Sequence, residues 1–255
     1  MLRAALLFVV MFLFSVPVMA QETVVAGLSQ NRVSITANFD GTGILIFGAV
    51  KRESPPPKNA TLQVVIEVSG PSGPLTVRRK QRVFGIWVNT DSIEIDSAPS
   101  FYAVASTAPL AEILSNTEDL RHRISVQHLI RSVGAPANIA NPETFSEALI
   151  RIRRKNGLYS SDGKVDLADD TLFRTQIVLP SNLVEGDYTA RIFLIRDQKV
   201  LDINKTTIAV RKVGLERWIF NLAHQRPLIY GLLSLAIAIA AGWLASAAFR
   251  VLRLN

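Results

Sequence analysis

The sequence predicts a mainly β protein: an immunoglobulin-like β-sandwich with a helical insertion, attached to one C-terminal transmembrane helix. Three observations predict it. Both ends of the chain are almost purely apolar, while the middle has ordinary globular composition. That middle reads as short β-branched and aromatic runs separated by Gly, Pro, Asn and Asp, interrupted once by helical spacing. The stretch LPSNLVEGDYTARIFLIRDQKV then gives a strand, a turn ending Gly-Asp-Tyr and an alternating strand. This is the pattern of the corner between strands E and F of an immunoglobulin-like sandwich, with Tyr188 as the corner tyrosine.

Residues 1–20 read as an export signal. Arg3 is a short positive region, Ala4 to Val16 is the apolar core, and Pro17 breaks the helix. Val18-Met19-Ala20 offers a cleavage site that leaves Gln21 as the new N-terminus. An uncleaved anchor is the alternative, at the short limit for a membrane span.

Residues 21–212 form the expected β domain. Thr23–Leu28, Arg32–Ala37, Ile44–Val50 and Leu62–Val68 are the first strands, with Asp40-Gly41-Thr42-Gly43 as a turn and Ser54–Lys58 as an exposed Pro-rich loop. Glu67 is the polar break of its strand. Leu75–Lys80, Val83–Val88, Ile93–Ile95 and Phe101–Thr107 follow. Helical spacing occupies about 108–156, in Leu110–Ser115, Thr117–Gln127 and Pro142–Lys155, with Asn116 or Thr117 capping one helix and Asn141 another. Leu172–Leu179, Tyr188–Arg196, Lys199–Asn204 and Thr206–Arg211 close the set, with Asp197-Gln198 as a tight connection. One sandwich and two separate β domains both fit.

Residues 213–227 place Leu215, Trp218, Ile219 and Leu222 at amphipathic helical spacing, either as an interfacial helix or as the first turns of a longer bent one. Residues 228–249 carry no charge and, at ~1.5 Å per residue, reach roughly 33 Å, enough for a bilayer core. Ser234, Ala238, Gly242 and Ser246 form a small-residue stripe of the kind along which helices pack in lipid, against a second copy or another membrane protein. Residues 250–255 are a short tail whose arginines fit a cytoplasmic end.

The absence of cysteine removes disulfides, thiolate metal sites and cysteine nucleophiles. No sequence motif of a catalytic or phosphate-binding site is present, so the expectation is a protein that is not an enzyme and holds no cofactor. The Asp40 turn lacks the Asp-Thr/Ser order and the second copy that an aspartic protease needs. His122 and His128 are six apart, on nearly opposite sides of a helix, which argues against a metal. With Arg121, Arg123 and Arg131 they read as a solvated basic face.

The formal net charge of +7 suits an anionic membrane surface or an acidic partner. For an exported chain, nucleic acid is not expected. Two basic clusters are the candidate binding residues: Arg78, Lys80 and Arg82 on one face of a strand, and Arg151, Arg153, Arg154 and Lys155 at a helix end. Their bland reading is solvated surface, the second also complementing the helix dipole.

The strings FDGTGILIFGAV, RRKQRVFGIWVN, FYAVASTAPL, NGLYSSDGKV and ERWIFNLAHQRPLIYGLLSLAIAIAAGW resemble an alphaproteobacterial family of transmembrane proteins. The resemblance implies a signal peptide, a periplasmic domain and one C-terminal span in the bacterial inner membrane. It brings no activity and no site residue. Its genes neighbour sulfite or organosulfur exporter-type membrane proteins. With no catalytic set, a small-residue helix face and two basic patches, the leading expectation is a non-catalytic accessory protein for another inner-membrane component; the alternative is a tethered binding module for a small anion.

Overall fold

The computed structural model describes residues 22–53, 61–132, 139 and 141–253. The expected export signal, the expected Pro-rich loop and the last residues of the tail lie outside these.

Twelve strands and six helices follow one another among the described residues. The strands are β1 (Thr23–Leu28), β2 (Arg32–Ile35), β3 (Gly41–Lys51), β4 (Gln63–Ser69), β5 (Ser72–Val83), β6 (Ile86–Pro99), β7 (Tyr102–Ser106), β8 (Tyr159–Lys164), β9 (Asp166–Ala168), β10 (Leu172–Pro180), β11 (Gly186–Arg196) and β12 (Lys199–Lys212). Between β7 and β8 lie α1 (Leu110–Ile113), α2 (Asn116–His122), α3 (Val126–Leu129) and α4 (Glu143–Lys155). After β12 come α5 (Leu215–Gln225) and α6 (Pro227–Arg253).

A four-stranded sheet runs β1-β3-β10-β9 and a six-stranded sheet β2-β12-β11-β4-β7-β8. Because β3 pairs with β10, and β4 with β11, strands from both sides of the helical segment share each sheet. Ile44, Ile46, Phe173 and Ile177 of the first sheet join Val64, Ile66, Ile192 and Ile208 of the second in one core. The side chains of Asp202 and Asn204 on β12 reach across to β1. Asp202 Oδ2 accepts from Val24 N at 2.7 Å, and Asn204 Nδ2 donates to Val24 O at 3.3 Å. The outer edge of β1 is thereby satisfied by the opposite sheet.

The alternation of β4 is not half-solvated. Val64 through Val68 are all buried, Glu67 included. The reason is the helical segment, which covers the outer face of the six-stranded sheet. Arg191 of β11 pairs with Glu67 and donates to the carbonyls of His122 at 2.8 Å and Arg123 at 3.0 Å. Arg123 has φ of 50° and ends α2, so this arginine also satisfies a helix C-terminus.

Several expected boundaries move. The turn before β3 sits at Ala37–Asn38, with Phe39 N donating to Thr36 O, and Gly41 already opens the strand. At Gly41, φ is 109° and a Cβ would lie 2.7 Å from Leu179 O, so the glycine serves pairing with β10 and not a hairpin. The cap of α2 is Ser115, whose Oγ accepts from Glu118 N, and not Asn116 or Thr117. The N-cap of α4 is Pro142, without a side-chain cap, and not Asn141. Polar β8 and β9, both edge strands, carry no alternation that would have announced them.

Tyr188 is fully buried, and its hydroxyl donates to Val184 O at 2.9 Å. Burial raises its pKa, so it keeps its proton across the neutral range. Tyr188→Phe is expected to lower unfolding stability by about 1 kcal/mol, measured as a shift in denaturant midpoint at constant slope. An unchanged midpoint would remove any structural role for that hydrogen bond.

Candidate functional site

The three short strands expected between residues 75 and 95 are one long hairpin. β5 and β6 pair from Ser72–Pro99 to Val83–Ile86, and Phe84 and Gly85, both at positive φ, make the two-residue turn. The ladder is continuous with β4–β7. Gly70 N donates to Phe101 O at 2.8 Å and Ser100 N to Pro71 O at 2.9 Å. The sheet therefore extends into a two-stranded arm.

The base of the arm is covered by helices. Leu75, Val77 and Arg79 alternate onto the half-buried face of β5, while Arg78 and Lys80 face outward. On α4, Phe145 and Leu149 are buried on one stripe that continues to the half-exposed Ile152. Arg79 fastens the two elements: Nη2 donates to Thr144 Oγ1 at 2.9 Å, Nη1 lies 3.6 Å from Asp91, and its guanidinium sits 4.5 Å from the Phe145 ring centre. A cleft of about 500 Å³ remains between β5 and α4, with Arg78, Lys80 and Arg151 around it, apolar Val77 and Phe145 within it, and exposed Glu147 beside them.

The structure thus brings together part of each predicted basic cluster. Arg78 and Lys80 of the first and Arg151 of the second border the same cleft, with Arg78 and Lys80 on the outward alternation of β5, opposite Arg79. Arg82 does not join them; its Nε donates to Gly85 O at 3.3 Å, at the turn. Arg153, Arg154 and Lys155 lie in the last turn of α4, Arg154 within 3.5 Å of Ser161 Oγ, away from the cleft lining. Sequence reasoning missed Arg79, Phe145 and Glu147. The signal for the first two was the alternation of β5 and the i, i+4, i+7 stripe of α4.

The histidines are not a solvated basic face. His122 lies 3.4 Å from the Glu118 carboxylate, and His128 Nδ1 lies 2.9 Å from Asp119 Oδ2. Asp119 Oδ1 also accepts from Ile124 N and Ser125 N, so the group holds the turn between α2 and α3. Ser125, His128 and Asp119 have the composition of a hydrolytic triad. Ser125 Oγ and the Asp119 carboxylate, however, both contact the same nitrogen, Nδ1. A relay needs the hydroxyl on one ring nitrogen and the carboxylate on the other. Asp187 pairs with Arg211, so it too has a structural partner. Among the described residues no cluster of His, Cys, Asp or Glu could hold a metal ion.

At the C-terminal end, α5 and α6 are separate helices divided at Arg226, where Pro227 cannot donate a backbone bond. Trp218, Ile219 and Phe220 of α5 are exposed. α6 is long and apolar enough to cross a membrane: Pro227–Arg250 has a mean hydropathy of 2.1 and is unburied. It continues as helix to Arg253. Ser234, Ala238, Gly242 and Ser246 are exposed along it, Ser234 Oγ donating back to Tyr230 O at 2.8 Å.

A family model described as "Putative transmembrane protein (Alph_Pro_TM)" matches residues 23–251, from β1 into the end of α6. The chain belongs to this family. The alphaproteobacterial resemblance read from the sequence is therefore borne out, and with it membrane attachment through one apolar helix. No curated protein matches the chain. A similar solved structure is the crystal structure of Spo0M, a sporulation control protein from Bacillus subtilis, at 10% identity and a TM-score of 0.28. The match covers 80% of this chain and spans 54% of that one, and it carries no argument here.

Proposed function

We propose that this family member is a non-catalytic accessory protein of the bacterial inner membrane, with its β domain in the periplasm and its C-terminus in the cytoplasm. The domain docks an acidic, partly apolar segment of another membrane protein. The cleft between β5 and α4 supports this reading most directly. Three cations border it, Arg151 on α4 and Arg78 and Lys80 on the exposed side of β5, with Val77 and Phe145 apolar within it and Ile152 half exposed beside it. Such a surface suits a polypeptide carrying both carboxylates and apolar side chains. A sulfite or organosulfur exporter-type transporter is the partner suggested by the family's gene neighbourhood. The strand order also supports an immunoglobulin-like assignment: β1-β3-β10-β9 follows A-B-E-D, β12-β11-β4 follows G-F-C, and Tyr188 bonds back as a corner tyrosine does.

The test is a photo-crosslinking residue at Ala148 in native membranes. One membrane-protein adduct is expected, lost when Arg78, Lys80 and Arg151 are all changed to Glu. Absence of any protein adduct with the β domain folded would overturn the proposal. The convergence of Arg78, Lys80 and Arg151 also favours a second reading, a small-anion site. Exposed Glu147 beside the cleft and its open form weigh against it. Thermal unfolding of the detergent-solubilised chain with millimolar sulfite, sulfate or phosphate decides this: the docking reading expects no rise in Tm, the anion reading a clear one.

A further inference from the structure

The distal third of the arm is the most unusual surface on the molecule. Beyond Lys80 no helix among the described residues covers it. Phe84 is fully exposed, Ile86 and Trp87 are 65% and 68% exposed, and Val83 stands beside them. Among the described residues, nothing buries these four apolar side chains at the turn of a two-stranded ribbon, and exposed apolar patches of this kind mark contact surfaces. Behind them, within the same strand, stand Arg78, Lys80 and Arg82, all exposed. An aromatic tip backed by cations is the arrangement that suits a lipid interface, with rings at headgroup depth and positive charge facing anionic headgroups.

The topology supplies the second argument. Thr189 of β11 lies opposite Ser69 at the end of β4 and opposite Thr207 of β12, which runs on to Lys212. β4 and β12 therefore finish at the same end of the six-stranded sheet. The arm leaves that end through Gly70 and Pro71, and the chain leaves it through β12 into α5 and the membrane-crossing α6. At 3.3–3.4 Å per residue, β5 extends roughly 40 Å from its base, enough to reach a bilayer to which the domain is tethered by so short a connection.

We infer that the β5–β6 arm is a second membrane contact: its tip, Val83 to Trp87, inserts into the headgroup region of an anionic phospholipid bilayer, with Lys80 and Arg82 on the phosphates. Anchor and tip together hold the domain by two points, which fixes the orientation of the β5–α4 cleft over the membrane surface. A single helix would leave the domain free to turn.

The sequence holds three tryptophans. The full chain carrying Trp218→Phe and Trp243→Phe reports from Trp87 alone. Reconstituted into vesicles of equal parts phosphatidylcholine and phosphatidylglycerol, it is expected to lose about half or more of its Trp87 emission when the acyl chains are brominated. Lys80→Glu with Arg82→Glu, or vesicles of phosphatidylcholine only, is expected to reduce that loss several-fold. Emission insensitive to brominated lipid but fully quenched by aqueous iodide would overturn the inference. A photo-crosslinker at Phe84 in native membranes separates lipid from protein as occupant. Lipid adducts are expected, and a dominant protein adduct would overturn the lipid assignment while leaving the cleft reading to its own test.

Discussion

Glu22→Ala is expected to destabilise the β domain by about 3–5 kcal/mol, the cost of leaving buried charges without their partner. Glu22 is buried just before β1, between two arginines that are themselves nearly buried. Arg52 Nε lies 2.7 Å from Oε1, and Arg196 Nη1 lies 2.7 Å from Oε2. Arg52 follows β3 in the four-stranded sheet, and Arg196 ends β11 in the six-stranded one. One carboxylate therefore clamps the two sheets together at one end of the β domain. Arg52 keeps Thr171 Oγ1 at 3.2 Å and the Asp170 carbonyl as acceptors, so the loss falls chiefly on Arg196 and on the repulsion between the two guanidinium groups. Glu22→Gln preserves an acceptor without the charge and belongs between the two. Replacing all three by apolar residues of similar volume is expected to recover most of the loss. Denaturant unfolding of the full chain in detergent measures each variant. A loss below about 1 kcal/mol for Glu22→Ala would show that the triad stabilises no more than an exposed pair does.

Much of this architecture was legible wherever side-chain period and turn chemistry agreed. β1 has the bounds that its alternating sequence predicts, Thr23–Leu28. Asp197 and Gln198 both take positive φ, as a two-residue hairpin turn requires. Phe84 was illegible for the opposite reason. An aromatic residue inside RVFGIWV has strong strand propensity, and only Gly85 hinted that the chain reverses there. The cleft between β5 and α4 was half legible. Both basic clusters are visible in the sequence, but that Arg78 and Lys80 should border the same cleft as Arg151 depends on α4 lying along β5. That packing is fixed by Phe145 and Arg79, residues far apart in the chain. Glu67 misleads in the same way. A carboxylate in an apolar run reads as a solvent-facing position unless one knows that a helical segment will cover the sheet.

That burial gives Glu67 a measurable pH signature. Desolvation raises its pKa from 4.5 to about 7, against the opposing pull of Arg191. The native state therefore holds a proton between about pH 4.5 and 7 that the unfolded chain has already released. Stability falls as pH rises through that window, by roughly 3 kcal/mol from this group, and its contribution is level above pH 7. Glu67→Gln removes the ionisation, so the stability curve of the variant is expected to flatten across the same window. Arg191→Met removes the cation paired with the carboxylate and also uncaps the carbonyls of His122 and Arg123. It is expected to cost about 3–5 kcal/mol at pH 8 and less near pH 5, where the folded protein holds the carboxyl protonated with or without Arg191. It also pushes the Glu67 pKa further up, which extends the falling limb above pH 7. The double variant Arg191→Met with Glu67→Gln tests the coupling: it is expected to regain most of the stability at pH 8, leaving a deficit of about 1–2 kcal/mol for the uncapped end of α2. A flat pH dependence of the unaltered chain between pH 4.5 and 7, or simple additivity of the two single changes, would mean that Glu67 is ionised in the folded domain and paired at little net cost.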